Sequence, residues 1–223
     1  MIAYGICIGT EEKFRRYAQP GLSRVAAPGA PIAEAREHAS IFVAYNQMIN
    51  AFAGDPSLEA LVLLHEDVEL QDGAFESTVR AALQDDGVAV LGAIGARNVR
   101  SLAWWEGEGR GRCFETRGLI DFGGGHHDVD CVDGLLLVLS PWAVRNLRFD
   151  EETFHGFHGY DMDICFQARA AGRRVRVMEV SLFHHTKGGF GDVEAYNRAD
   201  EAFRRKWLGA PRHVPPASVH HSS

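Results

Sequence analysis

Leu61-Val62-Leu63-Leu64-His65-Glu66-Asp67-Val68 decides the fold: four apolar residues run without polar alternation into three ionisable ones. A short apolar run of this kind reads as a strand buried on both faces, as in a parallel sheet covered by helices. Open α/β sheets hold ligands at the carboxyl ends of their strands, and Glu66 and Asp67 fall there. Taken alone, the triplet reads equally well as the start of a solvated turn, so the rest of the chain has to decide.

Upstream, Ile2-Ala3-Tyr4-Gly5-Ile6-Cys7-Ile8 is a second buried strand, broken by Gly9-Thr10 and followed by a short helix over 11–17. The Gly-, Ala- and Pro-rich segment 20–31 reads as loop, with a short strand near Leu22 to Val25. Ser40 is placed to cap a helix whose apolar stripe is Ile41, Tyr45, Met48, Ile49 and Phe52. Asn46 and Asn50 lie on its opposite side, and Gly54-Asp55-Pro56 ends it.

Downstream, a helix is expected over 74–83 and a buried strand over 88–92. Segment 95–125 carries Trp104, Trp105, Arg97, Arg100, Arg110 and Arg112, and reads either as a binding loop or as a β-hairpin extension packed by aromatics. Segment 131–139 is expected to form one buried strand, with Asp133 and Gly134 near its start. Pro141 after Ser140 opens a helix. A loop with His155 and His158 leads to a helix over 161–171, closed by Gly172. Extended segments over 173–178 and 181–183 precede a last helix from Asp192. The sum is an α/β protein: a mostly parallel central sheet of six or seven strands, flanked by helices, with a small antiparallel extension. The expected organisation is a single domain over 1–209 and a flexible C-terminal tail over 210–223.

A net charge of -7 argues against general nucleic-acid binding, which needs a basic face. No apolar run approaches the ~20 residues of a membrane helix, and the start has no signal-peptide pattern. Cys7, Cys113, Cys131 and Cys165 form no C-x-x-C pair. Scattered cysteines fit reduced thiols and a cytoplasmic location, not a disulfide framework or a zinc site.

The order of these features resembles the nucleotide-sugar glycosyltransferases of the GT-A (Rossmann-like) fold, close to family 2. The resemblance rests on Ile6-Cys7-Ile8-Gly9-Thr10, Ala44-Tyr45-Asn46, His65-Glu66-Asp67, Val132-Asp133-Gly134-Leu135, the run Gly159-Tyr160-Asp161-Met162-Asp163-Ile164-Cys165 and His184-His185. It implies transfer of a sugar, with inversion, from a UDP-, GDP- or dTDP-linked donor to an acceptor hydroxyl. It also implies a divalent cation on the donor diphosphate, Mn2+ favoured and Mg2+ second. Carried over residue by residue, Thr10 and Asn46 lie near the nucleotide, with Glu66 beside them. Asp67 is the metal acid, joined by His65 and His184, and Asp161 is the catalytic base. Asp133, Gly134, Trp105, His158, Asp163 and Lys187 are expected around donor and acceptor.

Two positions depart from the family pattern. His65 stands where D-x-D has its first acid, and Tyr160 stands where (E/D)-D-x-D has its first acid. Imidazole ligates manganese but suits magnesium poorly, and a phenol is no base at neutral pH. The alternatives are a sugar nucleotidyltransferase and a non-catalytic nucleotide-sugar-binding protein on the same fold. Gly9-Thr10-Glu11-Glu12-Lys13 matches poorly the glycine- and basic-rich phosphate loop of the former. The sequence leaves the acceptor and any oligomeric state open.

Overall fold

The computed structural model describes residues 1–189 and 191–209, so the expected tail over 210–223 lies outside the described residues. In chain order the strands are Ile2–Ile8 (β1), Ile32–Arg36 (β2), Ala60–His65 (β3), Val68–Leu70 (β4), Val88–Gly92 (β5), Ile94–Arg97 (β6), Glu108–Glu115 (β7), Gly118–Asp121 (β8), His127–Val129 (β9), Cys131–Val132 (β10), Leu136–Leu139 (β11), Arg174–Val177 (β12) and Leu182–His184 (β13). The α-helices are Glu11–Lys13 (α1), Gln19–Val25 (α2), Ile41–Phe52 (α3), Phe75–Ala82 (α4), Pro141–Asn146 (α5), Tyr160–Ala170 (α6) and Val193–Phe203 (α7). A π-helical turn, Phe14–Ala18, joins α1 to α2, and another, Arg204–Leu208, extends α7.

The main sheet runs β2-β1-β3-β11-β5-β12-β9. Strands β2, β1, β3, β5 and β12 share one direction, while β11 and β9 oppose it. The β1, β3, β5 and β11 side chains are almost wholly buried, as their unbroken apolar runs require. β11 lies in the middle of the sheet, with Leu136 opposite Leu64, and the His65 N–H donates to the Leu135 carbonyl at 3.1 Å. Residues just before β11 therefore meet residues just after β3. A second sheet, β10-β6-β7-β13-β4 with β8 on the edge of β7, lies at this same end. Its β13–β4 pairing sets His184 opposite Val68, and the His185 N–H donates to the Asp67 carbonyl at 2.8 Å.

Four local expectations need correction. Segment 19–25 is helix rather than loop and strand: Pro20 sits in the first turn, where its missing N–H costs nothing. Gly21 lets that helix lie on β4, since a Cβ there would stand 2.6 Å from the Leu70 nitrogen. Gly21→Ala should accordingly lower stability by about 1–3 kcal/mol, read as a fall in the urea midpoint. β2 was not anticipated because it is an edge strand with mostly exposed, mixed residues. Ser40 stands at the cap position of α3, yet its buried hydroxyl has no hydrogen-bond partner. The run 131–139 is not one strand: β10 pairs with β6 in the second sheet and β11 joins the main sheet. The break falls at Asp133, whose Oδ1 accepts the Leu135 N–H at 2.9 Å.

Ser140 and Asp192 behave as their sequences suggest, accepting the N–H of Ala143 at 3.2 Å and of Ala195 at 3.0 Å. No described helix is long and apolar enough to cross a membrane.

Candidate active site

Where the two sheets meet, the end of β3 and the end of β13 bring His65, Asp67 and His184 together. One ligand atom from each lies within 4.8 Å of the others. His184 Nε2 is 3.3 Å from Asp67 Oδ1, and Lys13 Nζ donates to Asp67 Oδ2 at 3.0 Å. Burial works to raise the Asp67 carboxyl, but the His184 hydrogen bond, the charges of His65 and His184 and the Lys13 hydrogen bond outweigh it and hold it well below the usual carboxylate range. Burial, helped by the charge of His184, pushes the His65 imidazole down. Burial also opposes protonation of His184, yet its hydrogen bond to Asp67 and the charges of Asp133, Asp67 and Glu115 carry it above the ordinary histidine value.

These residues fit a divalent cation. His184 Nδ1 is buried without a hydrogen-bond partner, 3.6 Å from Glu115 Oε1. An imidazole with one nitrogen toward a cation and a carboxylate behind the other is how metal-binding histidines are oriented. Two imidazoles and one carboxylate suit a borderline cation such as Mn2+ better than Mg2+.

Across the cleft, at the start of α6, Asp161 Oδ2 accepts the Gly134 N–H at 3.0 Å and Oδ1 accepts the Met162 N–H at 2.9 Å. Burial, and then the neighbouring Asp133, push the Asp161 carboxyl up to about 7, against the pull of those N–H donors. A carboxylate with that affinity for protons is matched to taking one from a hydroxyl at neutral pH. Asp133 Oδ2 is held by the Trp104 indole N–H at 3.0 Å. The adjacent tryptophans divide their roles: Trp104 is buried, while Trp105 is 45% exposed at the rim. The cleft measures about 390 Å³ and is lined by Asp133, Gly134, Asp161, His65, His184, Trp105 and His158, with Thr186 and Gly188 at its edge. Lys187, between these last two, is exposed and is not part of the lining.

Two more expected site residues, Asn46 and Asp163, lie elsewhere. Asn46 is buried, with both ends of its amide spent on the Phe149 backbone: Nδ2 donates to the carbonyl at 2.8 Å and Oδ1 accepts the N–H at 2.9 Å. It clamps the segment after α5 to α3 and does not face the cleft. Asn46→Ala should cost about 2–4 kcal/mol for two buried hydrogen bonds, in chemical denaturation, with nucleotide binding retained. Asp163 is fully buried on the far side of α6, because positions i and i+2 point to different faces. Its carboxylate accepts from Trp207 Nε1 at 2.8 Å, Lys206 Nζ at 2.7 Å and Gln167 Nε2 at 2.7 Å. It fastens the turn after α7 to α6 and is absent from the cleft lining.

Glu66 Oε2 accepts the N–H groups of Gly9 at 2.6 Å and Thr10 at 2.7 Å. Glu66 and Thr10 thus shape the β1–α1 turn beside the cation cluster, and Glu66 is not one of its members.

Lys13, Glu115 and Arg117 escaped the sequence reading. Glu115 is buried at the inward end of an alternating strand, and its Oε2 accepts from Arg117 Nη2 at 2.8 Å. The in-out alternation from Gly111 to Glu115 turns Glu115 inward and leaves Phe114 exposed, so the residue types give no signal for it. Lys13 bonds Asp67 of the His65–Asp67–His184 cluster, and Arg117 bonds the Glu115 that lies behind His184.

Residues 28–207 match the family model described as "Glycosyltransferase like family". The "Streptomycin biosynthesis protein StrF" of Streptomyces griseus is 35% identical over 212 residues, covering 93% of this chain and 75% of that protein. Among solved structures, GalNAc-T7 with UDP, GalNAc and Mn2+ aligns at a TM-score of 0.59 and 9% identity, over 91% of this chain and 47% of that one. A197 from STIV aligns at a TM-score of 0.55 and 11% identity, over 83% and 86%. At such identities these structures speak for the fold alone, which is of the GT-A type. Taken with the family match over most of its length, the chain belongs to the glycosyltransferase-like family.

Proposed function

We propose that the protein transfers a sugar from a nucleoside diphosphate donor to an acceptor hydroxyl, with inversion at the anomeric carbon. The observation that carries this reading is one cleft lined by His65, His184 and a buried carboxylate of raised pKa, Asp161, with Asp67 completing a cation-type cluster behind the two histidines. GalNAc-T7, on a similar fold, was solved with UDP, GalNAc and Mn2+, which supports a nucleotide-sugar donor and Mn2+ here.

In this reading His65, Asp67 and His184 hold the cation, which when bound offsets the charge that grows on the departing diphosphate. Lys13 and Arg117 add fixed positive charge. Asp161 takes the acceptor proton as the oxygen attacks the anomeric carbon from the face opposite the diphosphate. Its two backbone N–H bonds, from Gly134 and Met162, fix the carboxylate for that transfer. Trp105 and His158 border the space left for sugar and acceptor. The name of the Streptomyces relative, a streptomycin biosynthesis protein, supports a small-molecule acceptor over a polymer. The four cysteines are unpaired, which supports a reducing, cytoplasmic setting.

The nucleotidyltransferase alternative needs backbone N–H groups after β1 to cradle phosphate. Here the Gly9 and Thr10 N–H groups are already bound by Glu66, which counts against it. The test is to incubate the protein with UDP-, GDP- and dTDP-sugars and Mn2+, and to follow the nucleotide products. Release of a nucleoside diphosphate from one donor is expected. Formation of a nucleoside triphosphate with added pyrophosphate would instead establish the nucleotidyltransferase, and no product from any donor would count against both.

A further inference from the structure

The two departures from the family pattern, His65 and Tyr160, are 95 positions apart and touch. His65 Nε2 and the Tyr160 hydroxyl are 2.5 Å from each other. We propose that Tyr160 is a positioning residue: its hydroxyl accepts the His65 Nε2–H and so presents His65 Nδ1 as the lone-pair nitrogen for a cation. This rests on the metal reading of the His65–Asp67–His184 cluster.

Three observations carry it. First, a histidine binds a cation as the neutral imidazole, which offers a lone pair from only one nitrogen. The partner of one nitrogen therefore decides what the other presents. Second, the Tyr160 ring is held independently of its hydroxyl. Tyr45 and Phe42 meet it edge-on, with centroids at 5.6 and 6.2 Å, and Phe149 lies at 6.2 Å. The phenol is aimed by this packing, so it can orient the imidazole rather than follow it. Third, the chain makes room for the hydroxyl at Gly134, where any Cβ would collide with the Tyr160 oxygen.

The arrangement parallels His184, whose second nitrogen faces Glu115. Each histidine of the cluster thus has a group behind it, one a carboxylate and one a phenol. With an acid at position 65 there would be no ring nitrogen to orient. Histidine at 65 and tyrosine at 160 make sense as a pair, and the same first turn of α6 carries both Tyr160 and Asp161.

The test compares the protein with Tyr160→Phe, which keeps the ring and its packing and removes only the oxygen. Two readouts are used: 15N NMR of histidine tautomers without metal, and titration with Mn2+ alone. The expected result is a His65 Nε2–H tautomer in the unaltered protein, lost or mixed in Tyr160→Phe, with Mn2+ affinity down about 10–100-fold. In a His65→Ala background, Tyr160→Phe should leave Mn2+ affinity unchanged, whereas a general structural role would lower it there too. Unchanged tautomer or unchanged affinity in Tyr160→Phe, with normal Mn2+ binding by the unaltered protein, overturns the role of Tyr160 alone. Absence of Mn2+ binding in the unaltered protein overturns the metal reading and this role with it.

Discussion

Asp161→Asn is expected to lower glycosyl transfer by about 10²–10⁴-fold, the usual contribution of a positioned general base, while nucleotide binding is retained. The amide has the shape of the carboxylate but cannot take a proton. The pH profile of the unaltered protein should agree. In the proposed mechanism Asp161 acts as the unprotonated base, and burial with the nearby Asp133 raises its pKa to about 7. Activity should therefore fall below that pH, approaching about tenfold per pH unit, and level off above it.

The same raised pKa has a consequence for stability with a definite sign. A carboxyl that binds its proton more tightly folded than unfolded stabilises the fold at low pH. That contribution is present below the unfolded value of about 4 and is lost as pH rises through the folded value of about 7. Asparagine does not titrate. Urea unfolding should therefore show Asp161→Asn gaining on the unaltered protein by about 2–3 kcal/mol between pH 5 and pH 8. A variant that is relatively more stable at pH 8 and nearly inactive would mark Asp161 as a group kept for chemistry at the expense of the fold. Equal pH dependence of stability in both proteins would contradict the buried environment described for it.

Asp67→Asn is expected to lower Mn2+ affinity by at least about 100-fold, beyond what loss of a group behind a ligand costs. Asp67 is the one anionic member of the His65–Asp67–His184 cluster, so its replacement leaves two neutral-capable imidazoles and Lys13 with no carboxylate between them. Any part of nucleotide binding that depends on Mn2+ should vanish with it. Mn2+ titration followed by the signal of free ion checks this directly, and undiminished affinity would remove Asp67 from the site.

How much of this was readable from sequence follows from the range of the contacts involved. The end of β3, the buried β5 and the start of α6 announce themselves through local pattern, and the order of motifs points to Asp67, His184 and Asp161 as candidates. Asn46 and Asp163 were misplaced because a polar residue in a motif looks the same whether it meets ligand or backbone. Their partners, Phe149, Lys206 and Trp207, lie 103, 43 and 44 positions away. Lys13 and Glu115 were missed for the same reason: each acts only beside residues from a distant strand. The break at Asp133 escaped notice because a run of apolar residues does not reveal that it serves two sheets. The helix 19–25 was hidden by Pro20 and Gly21, whose usual meaning is loop; here one opens a helix and the other lets it pack on β4.

The central claim is that one nucleotide diphosphate binds at the end of β3 through a cation held by His65, Asp67 and His184. Calorimetric titration with UDP, GDP and dTDP, each with Mn2+ or with EDTA, tests it most directly. One of the three is expected to bind in Mn2+ and to lose most of its affinity in EDTA. Equal binding in EDTA would contradict the role of the cation, and no binding of any of the three in Mn2+ would contradict the assignment of the site.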